Sequence, residues 1–234
     1  MTTTPSHQVE QDRRPGWPEV AAAAGTYLLL LLLLPPLLLS ATEDDPVARG
    51  LALAGLSGLI GFAAFFVALA VRRRGWAAFG VRRTTWRWLL IGLGWGLAAV
   101  VITRVGVVVV LLLSGDLLTD PQGSYRDAAS GGAVAFALQL LLLGLLTGAG
   151  EEFAFRGVLT NALLRYGSVV AVVVSTLVFA LAHGLNLALV PAITVGLLAA
   201  VMTVRSCSIW PAVVLHVVNN TVGTVVSQLL LTLV

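Results

Sequence analysis

Long apolar runs separated by short polar breaks make up most of the chain. Val20–Ala41 and Gly50–Val71 each hold roughly twenty residues without a charge, enough to cross a hydrocarbon core as a helix. Leu89–Leu113 is a third such run. A fourth begins at Gly132, passes through Glu151 and Glu152, and continues over Gly157–Tyr166. Val169–Ala182, Leu185–Val204 and Ile209–Val234 complete the series. The breaks carry turn chemistry: Glu43-Asp44-Asp45, Gly167-Ser168, His183-Gly184 and Arg205-Ser206-Cys207-Ser208. Seven spans are expected, or eight if the segment around Glu151 is broken at its glycines. Pro35-Pro36 is expected to kink the first helix.

Composition agrees with this pattern. The 234 residues are 58% hydrophobic and 11% charged, with a mean hydropathy of +0.96, so the chain reads as an all-α, polytopic integral membrane protein. Residues 1–18, with Pro5, Pro15, Gly16 and Pro18, read as a polar, surface-lying tail. The six arginines from Arg72 to Arg87, interleaved with Trp76 and Trp86, place that loop and the N-terminus on the cytoplasmic side of a cell membrane. The polar loop Ser114–Ser130, with Asp116, Asp120 and Asp127, is then external. The net charge of +3 comes from short clusters between apolar runs, a pattern that anchors to lipid and argues against nucleic acid as a partner.

All fourteen basic residues are arginine, which excludes a catalytic lysine. The single cysteine, Cys207, excludes an internal disulfide and reads as a small apolar filler at a helix start.

An ionisable group at the centre of a spanning helix costs about 2.5–3.5 kcal/mol. Glu151, Glu152, Arg156, His183, His216 and Arg104 therefore stand out, all but Arg104 in the C-terminal half. Glu151 lies sixteen residues before Gly167 and His183 sixteen after it, which sets both ~24 Å from the turn in a helical hairpin. His216 and Asn220 are one helical turn apart and reach an overlapping depth. Glu152 and Arg156, also spaced i, i+4, read as a neutralising structural pair, leaving Glu151 as the unpaired acid. Gly148 and Gly150 let neighbouring helices come close. Arg104 reads as a snorkelling or pairing residue.

In order along the chain these residues form E-E-x-x-x-R (Glu151–Arg156), F-x-x-x-H (Phe179–His183) and H-x-x-x-N (His216–Asn220). The triple resembles the CPBP family, comprising type II CAAX prenyl proteases, bacteriocin-processing enzymes and Abi or lysostaphin-resistance-protein-A-like proteins. The resemblance covers roughly Gly132–Val234. It implies an intramembrane endopeptidase with a four-helix catalytic core over 132–234, preceded by flanking helices over 19–131 and acting on a protein or peptide substrate. It also implies that Glu151 and His183 activate water while His216 and Asn220 complete the site, with Glu152 and Arg156 in support.

Two chemistries stay open. Glu151, His183 and His216 are the donors that a divalent metal such as zinc would take. Alternatively, Glu151 and His183 activate water without a cofactor while His216 and Asn220 donate to an oxyanion. The asparagine, a poor zinc ligand, favours the second. A non-enzymatic alternative, a proton-coupled carrier or an immunity or scaffold factor, would use the same charges as a relay strung across the bilayer.

Overall fold

A computed structural model describes residues 14–114 and 119–233; the expectations for residues 1–13, His7 among them, and for Asp116 lie outside these. The described chain is helical, with no strand among the described residues. The helices are α1 (Trp17–Ala41), α2 (Pro46–Val71), α3 (Trp86–Ser114), the short α4 (Gly123–Ser130), α5 (Ala133–Tyr166), α6 (Ser168–Ala182), α7 (Leu189–Ser206) and α8 (Trp210–Leu233). Six of them, all except α4 and α6, are long and apolar enough to cross a membrane. The protein is a multi-pass, all-α membrane protein. The fifteen-residue α6 is apolar but shorter, about 22 Å of helix.

Local chemistry sets the helix ends. Asp45 caps α2 by accepting the Ala48 N–H at 2.9 Å, with Pro46 in the first turn where its missing N–H costs nothing. Gly167, at φ 99°, turns α5 into α6. After α6, Gly184 at φ 83° and the Asn186 side chain, which accepts the Ala188 N–H and donates to the His183 carbonyl, hold a turn. That turn delays α7 to Leu189, four residues later than the hydropathy suggests. Within the loop expected over Ser114–Ser130, residues 123–130 are helical. Cys207 is exposed in a left-handed conformation at the end of α7, not an apolar filler, because the reversal needs a positive φ there.

The segment around Glu151 is not broken at its glycines. α5 runs through all thirty-four of its residues, about 50 Å, with π-helical stretches at Leu140–Thr147 and Phe153–Thr160 on either side of the turn Gly148–Glu152. The glycines instead bring neighbours into backbone contact. A Cβ at Gly150 would lie 2.7 Å from the carbonyl carbon and Cα of Gly58 on α2, and one at Gly148 would lie 3.0 Å from the Val217 nitrogen on α8. α5 is thus clasped between α2 and α8 along its catalytic turn.

The arginine-rich end of the bundle is knitted together. Glu19, fully buried, accepts from Arg72 at 2.6 Å and Arg74 at 2.8 Å and caps α1 through the Gly16 N–H. Pro15 and Gly16 are therefore packed into the protein, not part of a surface-lying tail. Glu19 is also a third acid within a membrane-length helix, tolerated because two guanidinium groups and a backbone N–H saturate it.

Candidate active site

Glu151 and Glu152 sit in the one α-helical turn between the two π-helical stretches of α5. Each π-turn shifts the register of the side chains, a device found at functional sites. Glu152 points into the protein. Its Oε1 pairs with Arg156 Nη1 at 3.1 Å and accepts from His216 Nδ1 at 2.8 Å, all three residues being buried. Arg156 also donates to the Gly196 carbonyl on α7 at 3.0 Å and lies over the Phe179 ring at 4.4 Å. The expected pair is present, but Glu152 does more than neutralise Arg156: it holds the His216 ring.

Glu151 faces the other way. Ser57 Oγ on α2 donates to its Oε1. Its Oε2 is buried without a hydrogen-bond partner and stands 3.8 Å from Nε2 of both His183 and His216. His183 occupies the C-cap of α6, where its Nδ1 lies 2.9 Å from the Phe179 carbonyl. A carbonyl only accepts, so that nitrogen carries the proton. The same reasoning puts the Nδ1 proton of His216 on the bond to Glu152. In neutral rings, both Nε2 atoms are then bare. Three lone-pair sites converge, at separations too long for hydrogen bonds among themselves, and any two of them can accept the two O–H groups of one water molecule.

The site lies in a cavity of about 470 Å³, lined by Glu151, His183, His216 and Asn220 together with Tyr125 and Arg126 near its mouth. Asn220 is one turn from His216, as the spacing predicts. One of its amide N–H groups donates to the Leu143 carbonyl at 3.1 Å, leaving the second for the cavity. Among the described residues, no group of three or more His, Cys, Asp or Glu side chains is arranged to hold a metal ion.

Sequence reasoning missed several residues here. Ser57 comes from a helix expected to contribute only topology. Gln139, fully buried in α5, lines the cavity with neither amide atom hydrogen-bonded. Burial pushes the Tyr125 phenol up to about 12, and the Glu151 carboxylate adds to the effect. A polar side chain in an apolar run was the available signal for Gln139; Ser57 had none beyond its hydroxyl.

Residues 133–222 match the model of a family described as type II CAAX prenyl endopeptidase, Rce1-like. The matched segment is similar to that family, the one the three motifs resemble. This segment contains all seven specified residues of the three motifs, and the family it matches is one of CAAX-type proteases. Comparison with curated proteins and with solved structures gave no significant match.

Proposed function

We propose that the protein is an intramembrane endopeptidase, with residues 132–234 as its catalytic core and 19–131 as flanking helices. The observation that carries this reading is the convergence of the unpartnered Glu151 Oε2 and two imidazole Nε2 atoms in one cavity. A proton relay would spread these groups across the bilayer instead.

Glu151 Oε2 takes one proton from water as the water oxygen attacks the scissile carbonyl carbon, while His183 Nε2 accepts a hydrogen bond from the O–H that remains and orients it. The free N–H of Asn220 donates to the oxyanion. His216 can add a second donor only as an imidazolium, a form for which Glu152 at Nδ1 supplies the counter-charge. Collapse of the tetrahedral intermediate passes the proton on Glu151 to the leaving amine. Every step above is carried by side chains.

By the positive-inside rule, the end bearing Arg72–Arg87 faces the cytoplasm. The part of the cavity lined by Asp120 and Arg126 then lies toward the opposite face. Replacing Glu151 by Gln keeps the side-chain shape and removes the base, with an expected loss of about 10²–10⁴ in rate. Proteomics of peptide termini in cells carrying each form is the measurement. Termini that depend on the protein yet persist in Glu151→Gln would refute the mechanism.

A further inference from the structure

Arginines crowd the end of the bundle where α1 begins and α2 and α7 end, and among the described residues Glu19 is the only acid there. Glu19 is occupied by Arg72 and Arg74. Arg73 stands between them at φ 48°, a left-handed turn that lets both neighbours reach one carboxylate and leaves Arg73 itself exposed. Arg82, Arg83, Arg87 and Arg205 are exposed as well, and among the described residues no carboxylate pairs with them.

Two of the segments that carry these cations are fastened together. Ser208 Oγ, in the α7–α8 turn, donates to the Arg82 carbonyl at 2.8 Å, and the Ile209 N–H donates to the Gly80 carbonyl at 3.0 Å. Gly80, at φ 71°, turns the α2–α3 loop at this point. Arg205 precedes Ser208 by three residues, so its side chain and those of Arg82 and Arg83 leave the backbone around one junction. The Arg82 guanidinium donates from Nη2 to the Ala77 carbonyl at 2.6 Å, which orients it without cancelling its charge.

Aromatic rings set the depth of the junction. Trp17, Trp76, Trp86, Trp210 and Tyr166 are all exposed at the same end, the belt that such side chains form at headgroup level. Arg87 lies over the Trp86 ring at 5.9 Å. The junction thus sits in the layer of lipid phosphates, where a soluble acidic protein or a nucleic acid fits poorly. By the positive-inside rule this layer belongs to the cytoplasmic leaflet, which carries the anionic lipids.

We propose that the junction of the α2–α3 loop with the α7–α8 turn binds the headgroup of an anionic phospholipid, its phosphate taken by Arg83 and Arg205 with Arg82 beside them. Planar guanidinium groups pair with phosphate oxygens through parallel charge-assisted hydrogen bonds. Glu19 neutralises Arg72 and Arg74 from inside the protein, and the lipid does the same for this group from outside. It also ties α8, which carries His216 and Asn220, to the loop that leaves α2, which carries Ser57. The assignment is independent of the reaction performed in the cavity.

The test uses the full-length protein, delipidated in detergent and given an equimolar mixture of phosphatidylglycerol and phosphatidylcholine with the same acyl chains. Retained lipid is read by native mass spectrometry. Each arginine near an anionic group favours binding about fivefold, so the parent should retain phosphatidylglycerol about a hundredfold over phosphatidylcholine. Replacing Arg83 and Arg205 together by Gln should lower that ratio to about fivefold. Arg73→Gln with Arg87→Gln removes the same charge from the same end and should leave the ratio unchanged. Equal retention of the two lipids by the parent overturns the proposal, a result that needs no variant to fold. An equal fall in both double variants also overturns it and leaves a diffuse attraction of the whole arginine-rich end. Displacement of the retained lipid by inorganic phosphate would assign the junction to a soluble anion and overturn the lipid assignment.

Discussion

Replacing Gly150 by Ala tests whether the backbone contact between α2 and α5 builds the site. The added Cβ would lie 2.7 Å from two Gly58 backbone atoms and closer still to the Gly58 carbonyl oxygen. That is about 1 Å inside ordinary contact, and the obstacle is backbone, which cannot swing away as a side-chain tip can. α2 must therefore move off α5. Overpacking of this kind costs about 1–3 kcal/mol, partly offset by about 1 kcal/mol of helix propensity gained over glycine. The functional loss should exceed the loss of stability, because Ser57, next to Gly58, loses its reach to Glu151 Oε1. Gly94→Ala is the control: nothing lies within 4 Å of its Cβ position, so only the propensity gain remains. The assays are thermal aggregation in detergent and the termini proteomics described above. If Gly150→Ala matched Gly94→Ala in both melting temperature and activity, the close approach would have no role in the site and this reasoning would fail.

Other predictions follow from the same geometry. Glu152→Gln removes the counter-charge of a fully buried Arg156 and the acceptor of His216; a loss of about 3–5 kcal/mol in stability is expected from thermal denaturation, and an unchanged melting temperature would contradict the pairing. Tyr125, pushed up to about 12 from the ordinary phenol range by burial and by Glu151, keeps its proton in the folded state at pH values where the unfolded chain loses it. Its contribution is present below pH 10 and lost as pH rises through about 12, so Tyr125→Phe should flatten the alkaline limb of a stability profile in that window, and an identical limb would remove Tyr125 as its cause. Cys207, the single and exposed cysteine at the arginine-rich end, should react with a membrane-impermeant maleimide only after cells are permeabilised, and labelling of intact cells would invert the topology.

The helices and the pairing of acid with base were legible because each has a one-dimensional signature. Apolar length marks a span, and i, i+4 spacing marks Glu152 with Arg156. Equal distance from Gly167 brought Glu151 and His183 level, and their side chains stand 3.8 Å apart. What was hidden depends on contacts between helices. The π-helical stretches leave no periodic trace in a segment apolar all round. Ser57 differs in no local respect from Ser175, which bonds its own helix backbone; only the glycine seam brings it to Glu151. Glu19 carries no such signature, because its arginine partners lie more than fifty residues away.

The direction of the cavity bears on the substrate. Its lining reaches Asp120, Arg126 and Gln228, at the end that carries the acidic loop Glu43–Asp45 and opposite the cluster Arg72–Arg87. If the arginines face the cytoplasm, a prenylated protein on the cytoplasmic leaflet would meet the closed end, where Glu19, Arg72 and Arg74 tie the first helix down. A peptide on the far side, or a segment already threaded through the bilayer, would meet the open end. The family match names a chemistry, and the charge asymmetry selects which side of the membrane supplies it. On the proposed endopeptidase reading, substrate is expected from the non-cytoplasmic side, and the Cys207 labelling experiment tests that orientation independently of any substrate.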